Sequence, residues 1–307
     1  IIGSFIAVIS EVVVILILII FGYWLARKGL FKQQTSSEVS NLLIKIVTPC
    51  VIISSFIHSE GDIDIKDMLM SSFLSLLSIL INIIVSKLFF KDKEKDQQKV
   101  LRFSIIFGNV GFMGIPLLKG IVGNTGVVFG SFSIVIFNIL CWTYGYKLMA
   151  KNAKMNLKTL LLNPGVIGVV IGLPIFLFSL KLPEFIIEVI DLVAALNTPL
   201  AMLVIGSYIA NVNIKSFTQD MTIFKLSFIR LILCPVLLLP FLLLLKPQSD
   251  IFLSNLLQAS MPVAANAVLF SVQYKRDTQL ASKLVALSTI LSILTVPFFS
   301  IIGKLII

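Results

Sequence analysis

Asn109, Asn138, Asn197 and Asn266 lie inside long apolar stretches of this chain. An amide side chain donates and accepts hydrogen bonds but does not titrate, so it can hold a carboxylate without exchanging protons with it. The hydroxyls of Thr48, Ser54, Ser55, Thr198, Ser288 and Thr289 share those surroundings. Each alone is a common helix–helix hydrogen bond. As a set, with Phe, Met and Trp around them, they describe an uncharged polar pocket suited to a small amphipathic mono- or dianion. Two cations add to it. Lys45 falls about 6 Å along a helix axis from Thr48-Pro49, and either reaches back to the membrane surface or serves as a carboxylate's counter-charge. Arg230 sits about a third of the way along its apolar stretch and reads as snorkelling or structurally paired, since nothing brings its helix to the others. Glu11 can reach an interface, and His58 stands at a loop edge. No Asp or Glu lies near the middle of any apolar stretch, so an intramembrane carboxylate that loads and unloads a proton or cation has no candidate. Paired aspartates, a Ser–Lys pair, a His-rich metal set, zinc spacings and phosphate-cradling loops are absent from the sequence. Neither an enzyme, a metal centre nor a cofactor is expected.

The elements that must position these groups are membrane helices. Hydrophobic residues make up 58% of the 307 and charged ones 13%, against roughly 25% charge in soluble domains. The net charge of +10 does not point to nucleic acid, because the basic residues sit in short loops between apolar runs. Cys50, Cys141 and Cys234 all fall inside apolar runs and say nothing of redox compartment. The opening IIGSF has no basic segment or cleavage site, so the first run reads as a retained helix. With about 20 apolar residues needed per crossing, ten spans fit: 4–26, 38–57, 68–90, 101–119, 126–148, 164–181, 187–210, 221–245, 251–273 and 280–304. The short sixth and broken fourth leave nine as the alternative.

Loop charge selects ten. Of 25 basic residues, 19 fall on one side: Arg27, Lys28, Lys32, Lys45, Lys87 to Arg102, Lys147 to Lys158, Lys215, Lys225, Lys275, Arg276 and Lys283. Five (Lys66, Lys119, Lys181, Lys246, Lys304) fall on the other, where Glu60, Asp62, Asp64, Asp67, Glu184, Glu188, Asp191 and Asp250 also lie. The positive-inside rule then puts both termini outside.

Gly22 and Thr48-Pro49 recur 150 residues later as Gly172 and Thr198-Pro199. The fourth span is broken by Gly108-Asn109-Val110-Gly111, then Gly114 and Pro116; the ninth by Pro262, with Asn266 a turn on. Five spans per half is an odd number, so such a repeat is inverted. The expected fold is all-α and polytopic: ten transmembrane helices as two inverted five-helix repeats (1–150 and 164–307, joined by a Lys-rich cytoplasmic link at 151–163), with broken helices four and nine crossing. Backbone freed in hydrocarbon is tolerated only where it meets protein, water or substrate. Half-helix N-termini at the midplane carry about half a positive charge each and attract anions.

These residues resemble the auxin efflux carrier family. The match rests on GYWLARKGLF (22–31), FGNVGFMGIPLLKG (107–120), Asn138 four residues before Trp142, ASMPVAANAVLFSVQY (259–274) and LSTILSILTVPFF (287–299), and covers nearly the whole chain. The long cytoplasmic insert of the larger plant carriers is missing. The resemblance implies a crossover of helices four and nine, a homodimer and organic-anion transport. It implies that Asn109 meets the substrate carboxylate, that Asn138 lines the same site, and that Pro262 is the ninth-helix crossover proline. Gly108 stands where plant carriers have a proline, which turns the expectation from auxin toward malate, malonate or related carboxylates.

The expected substrate site is Gly108, Asn109, Gly111, Asn138, Pro262, Val263 and Asn266. Pro49, Pro116, Pro199 and Pro262 are the expected hinges, and Lys45, Thr48, Ser55, Asn197, Thr198 and Ser288 the supporting polar groups. The expected partners are a small organic anion and membrane lipid, in the plasma membrane of a bacterium, with an elevator-type carrier body. A sodium-coupled symporter and a lipid- or sterol-sensing module without transport are the alternatives.

Overall fold

Backbone placed in lipid must satisfy its own hydrogen bonds, and an apolar chain does so by coiling. In the computed structural model, which describes residues 2–58, 64–150, 164–210 and 220–307, every regular element is helical. The one β-type contact among the described residues is an isolated antiparallel bridge between Gly108 and Val263. Glu60, Asp62, Lys151, Lys154, Lys158, Lys215 and the 151–163 link lie outside the described residues.

The helices run α1 Ile2–Arg27, α2 Gln33–Leu42, α3 Thr48–Ile57, α4 Ile65–Leu88, α5 Lys95–Ile106, α6 Ile115–Ile121, α7 Asn124–Leu140 and α8 Tyr146–Met149 in the first part of the chain. They continue as α9 Pro164–Leu177, α10 Glu184–Ala195, α11 Asn197–Ala210, α12 Met221–Phe228, α13 Cys234–Leu245, α14 Ser249–Ala259, α15 Asn266–Gln273 and α16 Thr278–Ile306. Among the described residues, and joined where they are continuous, six helices are long and apolar enough to cross a membrane: Gln33–Ile57, Ile65–Leu88, Asn124–Met149, Glu184–Ala210, Met221–Leu245 and Thr278–Ile306. Shorter apolar helices are Ile17–Arg27, Val110–Ile121 and Pro164–Leu177. Large apolar side chains such as Phe73, Ile84, Phe185, Leu192, Leu244 and Leu294 face outward, where a bilayer would cover them.

Proline sets the internal joints. Pro49, Pro116 and Pro235 each open a helix directly after a wide π turn, at Leu43–Val47, Val110–Gly114 and Ile229–Leu233. A proline ring cannot donate and crowds the preceding carbonyls, and the wider turn relieves the clash. At the first joint the Thr48 hydroxyl donates to the Leu43 carbonyl at 2.9 Å.

Glycine sets the closest helix contacts. A methyl at Gly22 would overlap the backbone of Leu203, and one at Gly206 the backbone of Ile19, so α1 and α11 touch main chain to main chain. Gly168 and Gly172 bring α9 close to α3: a methyl at Gly172 would overlap the Phe56 ring and crowd Ile53, and one at Gly168 would press on Pro49 and Ile52. Small residues give membrane helices this approach. A polar seam ties α4, α7 and α14: the Ser75 and Ser133 hydroxyls meet at 2.5 Å, Ser75 donates to Asn255 Oδ1 at 3.0 Å, and Asn255 Nδ2 donates to Ser71 at 3.1 Å.

Candidate functional site

The site grows from two interruptions. Helix α5 ends at Ile106, and the chain runs extended through Phe107 before Asn109 opens the π turn that leads into α6. Helix α14 ends at Ala259, and the chain is not helical again until Asn266. The two unwound stretches cross antiparallel. The Asn109 N–H donates to the Pro262 carbonyl at 2.7 Å, and the Ala264 N–H to the Phe107 carbonyl at 3.0 Å. Each break therefore satisfies part of the other's freed backbone, which is the condition for irregular chain at membrane depth.

Four more of the freed groups have side-chain partners. Asn82 Nδ2 donates to Ile106 O at 3.4 Å, and the Val263 N–H donates to the Ser288 hydroxyl at 3.1 Å. Arg230 donates through Nε to Met261 O at 3.0 Å and through Nη1 to Ile105 O at 3.3 Å. The sequence reading gave Arg230 either snorkelling or a structural pair, on a helix that nothing placed at the crossing. The structure corrects this: Arg230 lies in the π turn Ile229–Leu233, is 2% exposed, and touches both interrupted helices. A methyl at Gly108 would overlap its Nη2, so only glycine leaves room for the guanidinium there.

In front of the crossing lies a cavity of about 410 Å³, within the size range of small-molecule sites. Lys45, Thr48, Gly108, Asn109, Gly111, Asn138 and Asn266 meet on its wall. Those seven come from four separate apolar stretches of the sequence. Other expected residues stand elsewhere. Pro262 and Val263 form the crossing itself, and Ser288 braces it from behind. The Ser55 hydroxyl turns back to Val51 O of its own helix at 2.8 Å. Asn197, Thr198 and Pro199 form the first turn of α11, a helix that packs against the Leu43–Val47 turn, and are not on the wall. Pro49 and Pro116 sit at joints behind the lining residues.

Sequence reasoning missed Asn41, one helical turn before Lys45, although that four-residue spacing puts both on one face. It also missed Phe112, Ile134, Phe137, Ala264 and Phe270 as wall residues, and nothing in their apolar neighbourhoods distinguishes them. Phe270 lies 5.1 Å from Trp142 and 5.1 Å from Phe103, and Phe137 meets Phe107 edge-on at 5.5 Å. The expected methionine is absent from the wall among the described residues; Met113 instead meets the Ser292 hydroxyl through its sulfur.

The electrostatics favour an anion. Among the described lining residues no carboxylate appears, and Lys45 is the one charged side chain. Asn109 is 5% exposed, yet its Nδ2 donor has no partner. An unpaired buried donor costs about 1–3 kcal/mol, so it waits for an acceptor. Both helices restart at the wall, at Asn109–Phe112 and at Ala264–Asn266; the amides of Asn109, Val110 and Ala264 are taken up by the carbonyls of Pro262, Gly108 and Phe107, and the positive ends of the two helix dipoles still face the cavity. No group of three or more His, Cys, Asp or Glu that could hold a metal ion occurs among the described residues.

The comparisons agree with a carrier. A family model described as "Membrane transport protein" matches residues 7–159 and 151–300. A protein of Methanocaldococcus jannaschii, named an uncharacterized transporter, is 25% identical over 93% of this chain and 95% of its own. Another uncharacterized transporter, of Methanothermobacter thermautotrophicus, is 22% identical over 95% of this chain and 97% of its own. The uncharacterized transporter YfdV of Escherichia coli is 21% identical over 97% and 98%.

Proposed function

Because the chain belongs to the auxin efflux carrier family of membrane transport proteins, we propose that it is a secondary transporter of small organic anions. Its cargo is a carboxylate, such as a malate- or malonate-like dianion or an auxin-like aromatic acid, bound at the crossing of the two interrupted helices. The observation that carries this reading is the unpartnered Asn109 donor in a cavity whose only charged lining residue, among those described, is Lys45. The aromatic wall suits the apolar body of such an acid, and the amides of Asn138 and Asn266 supply neutral donors.

The proposed architecture is ten membrane helices in two inverted halves. Glycine contacts support it. Gly22 meets Leu203 and Gly172 meets Ile53, and both members of one contact map onto the other by the same 150-residue offset. These paired contacts, α1 with α11 and α9 with α3, suit a fixed scaffold. The helices around the crossing would then carry the site across as one body in a homodimer. The loop charges support a reading with both termini outside a bacterial plasma membrane.

The test is flux in proteoliposomes. Purified protein should exchange labelled carboxylates from a panel of mono- and diacids and leave their uncharged amides behind. The same panel with and without sodium distinguishes a uniporter or proton-coupled carrier from a sodium symporter. Tight lipid binding with no flux of any acid would defeat the transport reading.

A further inference from the structure

We infer that Arg230 is a positioning residue that sets the charge preference of the site by neutralising the two helix ends that would otherwise repel an anion. This rests on the anion-transport reading above. The guanidinium is 2% exposed, and among the described residues it has no carboxylate partner. Burying an unpaired charge is costly, so something else must balance it. Its two hydrogen bonds show what does. Ile105 O belongs to the last turn of α5, and Met261 O lies two residues past the end of α14.

Each such C-terminal end carries about half an elementary negative charge. Two ends together match one guanidinium. A planar fork can serve two carbonyls on separate chain segments at once, which a lysine ammonium on a flexible stem does poorly. Gly108 completes the device, since any larger residue would displace Nη2.

The consequence reaches the cavity because Gly108 is shared. It lines the large cavity in front and also a chamber of about 30 Å³ behind, which Arg230, Asn82, Asn255 and Gln258 line. At a bare crossing, two positive N-terminal ends and two negative C-terminal ends would largely cancel for a bound ion. With Arg230 in place, the negative pair is balanced, and the positive pair facing the cavity acts on the cargo unopposed.

The chain offers its own reporter. Of its two tryptophans, Trp142 lines the cavity and Trp24 is exposed on α1. In a Trp24→Phe background, Trp142 fluorescence is titrated with benzoate and with benzamide, its uncharged counterpart. Arg230→Gln should lower the ratio of benzoate to benzamide affinity at least about tenfold, with benzamide affinity changed less than about twofold. Arg230→Lys, which keeps the charge, should retain most of the ratio.

An equal loss for both probes would mean that Arg230 only holds the fold, and would overturn the inference. So would a Lys variant whose ratio falls at least about tenfold below wild type, which decides the matter even if the Gln protein does not purify as a single species. If wild-type protein binds neither benzoate nor malonate, the transport reading itself fails. If it binds them and the folded Gln variant keeps the wild-type ratio, only the inference fails.

Discussion

Truncating Asn109 should separate binding from stability in opposite directions. Its Nδ2 is buried and has no partner, so the empty protein already bears the penalty of an unmade hydrogen bond. Asn109→Ala removes that penalty, while the backbone N–H that pairs with Pro262 O remains. The melting temperature of the empty protein should therefore hold or rise. Binding should fall. A hydrogen bond to a charged acceptor contributes about 1.5–3 kcal/mol, which is about a 10- to 150-fold loss of carboxylate affinity. The assay is a pair of measurements on one preparation: thermal melting without ligand, and concentration-dependent flux of a transported acid in proteoliposomes. Asn109→Asp sharpens it by placing a carboxylate where the cargo's carboxylate would lie, and flux should be lost. A variant that melts earlier yet transports with wild-type affinity would show that Asn109 braces the crossing and does not touch cargo.

Three further perturbations follow from the same geometry. Lys45→Met should weaken carboxylate binding, and the wild-type affinity advantage over the variant should shrink as salt rises, read by titrations at low and high ionic strength. Gly206→Val should break the α1–α11 contact, because its side chain would overlap the Ile19 backbone; a fall in melting temperature of several degrees is expected, whereas Gly29→Val, with nothing around its Cβ position, should cost only the strain of its positive φ. Asp220 caps α12 through Thr222. Burial pushes its carboxyl up, but the Thr222 hydrogen bonds and the charges of Lys93 and Lys283 outweigh this and hold it below the usual range. A depressed carboxyl stabilises above its unfolded pKa of about 3.9 and loses that contribution as pH falls through the folded value. Asp220→Asn keeps a capping oxygen and removes the charge, so it should lower the melting temperature at pH 7 by an amount matching the roughly 0.3–1 kcal/mol of a carboxylate at a helix start, and the difference from wild type should vanish in acid.

The sequence made some of this legible and hid the rest for a physical reason. Breaks in apolar runs are visible because glycine and proline announce them: Gly108, Gly111 and Pro262 marked both unwound stretches, and the structure joins those stretches by the Asn109–Pro262 and Ala264–Phe107 bonds. Amides in apolar runs are visible for the same reason, which is how Asn109, Asn138 and Asn266 could be named before any fold was known. The apolar wall was not legible, since Phe137 and Phe270 look like every other aromatic in a membrane helix until their neighbours are placed. Ser55 and Asn197 lie off the wall: a polar residue in an apolar run marks a need for a partner, and for Ser55 that partner is the helix's own carbonyl.

Arg230 is the most instructive case. A lone arginine in a membrane span invites a search for an acid, and the sequence holds none near the middle of any span. Its counter-charge is carried by main-chain carbonyls at 105 and 261, contributed by segments more than 150 residues apart. Backbone charge of this kind has no residue type, so no inspection of side chains could have found it. It follows only from knowing that two helices end at one place. In the proposed carrier the sign of the cargo would then be a property of the crossing and not of its amides: asparagines accept or donate equally well, and the balance between exposed helix starts and covered helix ends would select a negative charge.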